Sequence, residues 1–142
     1  MRLVLDVENS VTWRDGKIFN DPFEPTNTLT QVGMVNADNH EELHIVNLDH
    51  NEAKDTSGAG RALIQSVLDM TTLLIMHNAR HDLMWLWESG FTYDGPIYDT
   101  MLAEYLLLRG NRCDSVRGFI QCFECWLCEV WISIMLTRFY IQ

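Results

Sequence analysis

Two short apolar runs that each lead into carboxylates constrain this chain more than any other feature. Leu3-Val4-Leu5 runs into Asp6-Val-Glu8, and Leu73-Leu74-Ile75-Met76 runs into His77-Asn78-Ala-Arg-His-Asp82. Acids at i and i+2 on a strand point to one face of a sheet. Asp82 falls where the second run gives way to a helix start. With the two strands side by side, three carboxylates meet at their ends. Like charges a few ångströms apart repel and raise each other's pKa. Hard divalent cations with oxygen ligands relieve that repulsion, and paired ions of this kind commonly serve phosphodiester chemistry. The pattern points to a nuclease-type site.

Length and charge narrow the possibilities. A chain of 142 residues is expected to form one domain with a real core. Its net charge of −10, with Lys17 and Lys54 as the only lysines, excludes a free-standing nucleic-acid binder built on a basic patch. An acidic chain can still process DNA when metal ions neutralise its site and another domain or protein holds the substrate. Met1 is followed at once by the first strand, which predicts no secretory signal peptide. No run of apolar residues reaches the length of a membrane span, so a location in the cytoplasm, the host's if the chain is phage-encoded, and no membrane partner are expected. The first 112 residues contain no cysteine, in keeping with a reducing compartment.

The rest of the pattern reads as an α/β layer. Residues 2–7 read as a buried strand, and residues 9–27 as a long loop with a short hairpin around Asp15-Gly16. Leu29–Val35 alternates and reads as a second strand, and His44–Leu48 as a third, joined through the polar stretch Asn36–Glu42. Ser57 is placed to cap a helix with Ala62, Leu63, Val67 and Leu68 at helical spacing. A fourth strand, 73–77, follows, then a helix from about 81 to 89 ended by Gly90. Asp99 is placed to cap a further helix with Met101, Leu102, Tyr105, Leu106 and Leu108 as its apolar positions. Three antiparallel strands, a helical crossover and a strand parallel to the first make a mixed sheet with flanking helices.

Residues 113–142 have a different character. From 115 on there are three cysteines, Trp126, Trp131 and four charges that sum to zero, so the whole −10 belongs to residues 1–114. Phe119, Ile120, Phe123, Trp126, Leu127, Val130, Trp131, Ile134 and Met135 follow a helical period with a thin polar face, and such a helix must be buried or paired. Cys122-x-x-Cys125-x-x-Cys128 resembles part of an iron–sulfur run, but Cys113 lies upstream where a fourth ligand would follow. Core packing or unselected sequence is the better reading of these cysteines.

Four segments, in order, are similar to one family. Leu5-Asp6-Val-Glu8 resembles the first motif of the DEDD 3′–5′ exonucleases, and Asn78-x-x-x-Asp82 resembles their second. Ile97-Tyr98-Asp99-Thr100-Met101-Leu102-Ala-Glu-Tyr105-Leu106-Leu107 is similar to the following segment of the exonuclease domain of family A DNA polymerases. Asp21-Pro-Phe-Glu-Pro-Thr-Asn-Thr-Leu looks like the first inter-strand loop of phage versions of that domain. The resemblance covers roughly residues 2–110 and implies a ribonuclease H-like (RNase H-like) fold over 1–112. It implies removal of nucleotides from DNA 3′ ends by two-metal-ion hydrolysis, as the proofreading part of a polymerase. By the resemblance Asp6, Glu8 and Asp82 are the catalytic metal ligands, for Mg²⁺ or Mn²⁺, and Asn78 is a polar residue beside the substrate. The implied partners are a single-stranded DNA 3′ end and a polymerase domain normally carried in the same chain.

The third motif, Tyr-x-x-x-Asp or His-x-x-x-x-Asp, has no counterpart. Asn9 also stands where the family usually has Thr. The one Asp after Asp99 is Asp114, with no Tyr four residues before it. Together with the change of composition, this suggests a C-terminus that is incomplete or frame-shifted and an activity that is weakened. Two alternatives stand beside the exonuclease reading: a non-catalytic remnant that binds partners through its apolar tail, and an RNase H-like exonuclease acting on RNA. Among the bland readings, Asp82 can be a first-turn acid favoured by the helix dipole, and Asn78 a residue that satisfies backbone groups. His77 reads as structural, His81 as a surface residue and Asp99 as a cap, while Trp85 and Trp87 pack or cover a helix rather than stack bases.

Overall fold

The computed structural model describes residues 1–50 and 53–107. The chain divides into two compact units, Met1–Asp99 and Thr100–Gln142. In the first unit the strands are β1 (Arg2–Asn9), β2 (Thr12–Arg14), β3 (Lys17–Phe19), β4 (Leu29–Asn36), β5 (Asn39–Asn47), β6 (Asp49–His50), β7 (Ala53–Lys54), β8 (Leu73–Met76) and β9 (Ile97–Asp99). Its helices are α1 (Ala59–Asp69) and α2 (Ala79–Glu88); α3 (Thr100–Leu107) opens the second unit.

Five strands make one mixed sheet in the order β5-β4-β1-β8-β9. β4 is antiparallel to β1 and to β5, whereas β8 runs parallel to β1 and β9 parallel to β8. β1 is therefore central and covered on both faces, which is why it reads as an unbroken apolar run from Leu3 to Leu5. Leu3, Leu5 and Val7 join one core with Val32 and Met34 from β4 and Leu74 and Met76 from β8. Ile64, Val67 and Leu68 of α1 and Leu83 and Leu86 of α2 close that core. Val4 lies opposite, level with Val35 and Ile75 on its two neighbours. By the two-residue period Asp6 and Glu8 share the Val4 face.

Local chemistry explains most element boundaries. Asp15 and Gly16 both take positive φ, 51° and 73°, the two-residue turn that lets β2 and β3 pair with the right twist. The third expected strand is longer than its apolar residues suggested. β5 begins at Asn39, because the edge strand leaves Asn39–Ile45 exposed and only Val46 is buried. An edge position removes the apolar pattern that sequence reading relies on.

The N-cap of α1 is Gly58, in the left-handed conformation, rather than the expected Ser57, and Ser57 and Asp55 bond the backbone of the first turn from outside it. The Ser57 hydroxyl accepts from Ala59 N at 3.2 Å and donates to Asp55 Oδ1 at 3.0 Å, while Asp55 Oδ2 accepts from Arg61 N at 3.1 Å. Desolvation of the Asp55 carboxyl raises its pKa. Hydrogen bonds from the backbone of Arg61, Gly60 and Gly58 and from Ser57 outweigh that and hold it below the ordinary value. The buried side of α1 is Ile64, Val67 and Leu68, whereas Leu63, expected on that side, is 40% exposed. From the same first turn, Arg61 Nη1 donates to Ser89 O at 2.6 Å and its guanidinium lies 5.2 Å over the Phe91 ring, tying the start of α1 to the exit of α2.

In α3 the expected apolar positions Met101, Leu102, Tyr105 and Leu106 are exposed, and Thr100 and Glu104 are buried. Leu108, Cys113, Asp114 and the apolar, cysteine-rich stretch 113–142 lie outside the described residues. Among the described residues, no helix is long and apolar enough to cross a membrane.

Candidate functional site

The candidate site is the edge of the sheet where β1 and β8 end. Because the two strands are parallel neighbours, their C-terminal ends lie on the same edge, the usual place for ligands in sheets of this kind. Asp6 and Glu8 sit near the end of β1, and the chain leaves β8 at Met76 to enter α2 at Ala79. α2 packs against β1, β8 and β9, so its first turn, with Asp82, sits at this edge.

Asp82 occupies an unusual place in α2. Ala79, Leu83 and Leu86 are buried at the spacing of one helix face, and Asp82 falls within that stripe, only 3% exposed. An apolar residue would cost nothing there, whereas a buried carboxylate is expensive unless it is paired, hydrogen-bonded or metal-bound. Asp6 repeats the pattern on the strand: it is 8% exposed within a run that is otherwise Leu and Val. Glu8, one period further along the same face, is partly buried.

Asn78 is explained first by its backbone. It sits at the N-cap of α2 in the left-handed conformation (φ 61°, ψ 52°), which Asn tolerates better than most side chains, and its side chain makes no capping bond. Asp99 supplies the cap instead. Its Oδ1 accepts from Asn78 N at 3.1 Å and its Oδ2 from Ala79 N at 3.0 Å. Asp99 was expected to cap the helix that follows it in sequence. Its bonds to Asn78 and Ala79 join it to α2, because the parallel pairing of β9 with β8 sets Asp99 beside Met76. The three-residue strand β9 was too short to read from periodicity.

His77 is partly buried, and His81 is partly exposed with its ring edge-on to Trp85, centroids 6.4 Å apart. Trp85 is 2% exposed and belongs to the core, whereas Trp87 is 51% exposed.

Asp6, Glu8 and Asp82 are hard oxygen donors, the chemistry that Mg²⁺ and Mn²⁺ require. Among the described residues no three His, Cys, Asp or Glu side chains are gathered closely enough to hold a metal ion. A cavity of about 480 Å³ lies nearby, lined by Asp49, Lys54, Asp55, Arg61, Trp85 and Glu88 among others, and includes none of the three carboxylates. Comparison of the chain with protein-family models, with curated proteins and with solved structures gives no match.

Proposed function

We propose that this chain is an RNase H-like 3′–5′ exonuclease whose carboxylates Asp6, Glu8 and Asp82 serve phosphodiester hydrolysis at DNA 3′ ends. The observation that carries the reading is the burial of Asp82 and Asp6, at 3% and 8% exposure, in stripes that are otherwise apolar and that end at one sheet edge. Structural residues at those positions would be Leu or Val, so retaining two carboxylates there favours a chemical role. The antiparallel run β5-β4-β1, followed across β1 by parallel β8 and β9, supports the RNase H-like assignment, as does the order of the four resembling segments.

In this reading Asp6, Glu8 and Asp82 would hold Mg²⁺ or Mn²⁺, which when bound supplies an activated water and neutralises charge on the leaving 3′ oxygen. The chain's own contribution is positional. Asp6 and Glu8 are held on one face by the central strand, and Asp82 is held by a helix whose first turn is clamped by Asp99. Burial lowers the local dielectric and strengthens the attraction of these carboxylates for a cation. Asn78, at the N-terminus of that helix, would be the polar residue beside the substrate that the resemblance implies.

The test is degradation of a 3′-labelled single DNA strand in Mn²⁺ by the wild-type chain and by Asp6→Ala. Loss of digestion in the variant is expected; equal digestion refutes the assignment. Running matched DNA and RNA strands side by side separates a proofreading-type enzyme from one directed at RNA. A non-catalytic remnant is the second reading, favoured by the lack of a closed three-ligand group among the described residues. It predicts no digestion by the wild type and no change of melting temperature on adding Mn²⁺.

A further inference from the structure

We propose that the cavity between the end of α1 and the loop joining α2 to β9 binds a small organic cation with an alkylammonium head. The cavity has a volume of about 480 Å³. It is lined by the deeply buried Leu68, 1% exposed, by the aromatic residues Trp87 and Tyr93 and by the acids Asp69 and Asp94, and among the described residues no lysine, arginine or histidine lines it. None of Asp6, Glu8 or Asp82 takes part, so the inference stands apart from the hydrolytic reading.

Three features of this cavity converge on a cation. The first is its potential. Asp69 is the last residue of α1, and no basic residue lies in that last turn. The C-terminal end of a helix already carries about half a negative charge, so a carboxylate there is disfavoured by the protein alone. Asp94 adds to the same field, and among the described residues no basic side chain lines the cavity to neutralise it. A bound cation does.

The second feature is aromatic. Trp87 is 51% exposed on a helix whose neighbouring Trp85 and Leu86 are buried. A half-exposed indole lining the same cavity as two acids can attract a cation through its ring quadrupole, the means by which alkylammonium groups are recognised. A divalent metal would draw on the oxygens alone and leave the rings without a role.

The third is rigidity. The Tyr93 hydroxyl donates to Pro96 O at 2.9 Å, and its ring lies against Gly95, where an added Cβ would come within 2.5 Å of the Tyr93 oxygen. Gln65 fastens the loop to α1: its Nε2 donates to Asp69 Oδ1 at 2.7 Å and to Thr92 O at 3.1 Å, and its Oε1 accepts from Thr92 N at 3.0 Å. Burial, with Asp94 nearby, raises the Tyr93 pKa, so the phenol stays neutral and its ring remains a fixed wall. A wall held in place before the ligand arrives lowers the ordering cost of binding.

The experiment follows the ¹H–¹⁵N signals of the full chain during titration with choline chloride. Parallel arms use 3,3-dimethylbutan-1-ol, the uncharged carbon isostere, and a short acetylated, amidated peptide carrying one lysine. Saturable shifts at Thr92–Gly95 and at the Trp87 indole are expected with a cationic probe and not with the alcohol. The tighter of the two cations assigns the ligand as a free amine or as a partner's side chain. Trp87→Leu and Asp94→Asn each weaken binding by about threefold to fivefold, in line with the loss of one ring or one neighbouring charge at an exposed site. Both positions are exposed, so the melting temperature stays unchanged. Gly95→Ala weakens binding with all charges in place, because it displaces Tyr93. Absence of saturable shifts with either cation, an equal response to the alcohol, or undiminished affinity in Trp87→Leu would overturn the proposal.

Discussion

Asp99→Ala offers the sharpest test of how the candidate site is held. The carboxylate accepts from Asn78 N and Ala79 N at 3.1 and 3.0 Å, the first backbone donors of α2, and places a negative charge at the positive end of that helix. Removing a capping side chain costs about 0.5–2 kcal/mol, and losing the charge at the helix dipole costs about 0.3–1 kcal/mol more. Asn78 cannot compensate, since its side chain makes no cap bond and its backbone is held in the left-handed region. The expected destabilisation is therefore about 2 kcal/mol. With a urea dependence of about 1–2 kcal/mol per molar, the unfolding midpoint should fall by about 1 M or more. Asp99→Asn keeps one acceptor oxygen and loses the charge, so it should fall by about half as much. The assay is urea unfolding followed by circular dichroism, with and without Mn²⁺. An Asp99→Ala midpoint within about 0.3 M of wild type would refute the clamp. A loss seen only in Mn²⁺ would mean that Asp99 is a metal ligand rather than a cap.

Further outcomes follow from the same geometry. Gly60→Ala should destabilise by about 1 kcal/mol in thermal unfolding, although alanine is the better helix former, because the new Cβ would sit 2.7 Å from Val46 Cγ1; a gain in stability would show that Val46 yields freely. Asp55 has a folded pKa below its ordinary 3.8. Its contribution is complete above that unfolded value and is lost as pH falls through the lower folded one. The stability difference between wild type and Asp55→Asn should thus be constant near neutrality and shrink below about pH 4; a difference that persists at pH 2 would contradict the hydrogen-bond account. Millimolar Mn²⁺ should raise the melting temperature of the wild type and leave that of Asp6→Ala unchanged, since a ligand stabilises only the form that binds it.

What the chain spells out locally was legible without a structure, and the particular residues show why. The apolar runs at Leu3 and Leu73, the Asp15-Gly16 turn and the helix stop at Gly90 each state a local preference, through burial on both faces or through backbone freedom at positive φ. The pairing of Asp6 with Glu8 on one face follows from the two-residue strand period alone. The burial of Asp82 does not. It depends on which side of α2 meets the sheet, and Leu83 and Leu86 settle that only once the helix is packed. Asp99 shows the limit most clearly. Its place in sequence speaks only of the next helix; its bond to a helix that begins twenty residues earlier comes from the pairing of β9 with β8. Likewise the N-cap expected at Ser57 falls on Gly58, with Asp55 bonding the first turn, and the edge position of β5 hides a strand that its own residues do not announce. Short-range chemistry determines which elements form. Only tertiary structure decides which side chains meet, because those meetings depend on strand order and on buried faces that lie far apart along the chain.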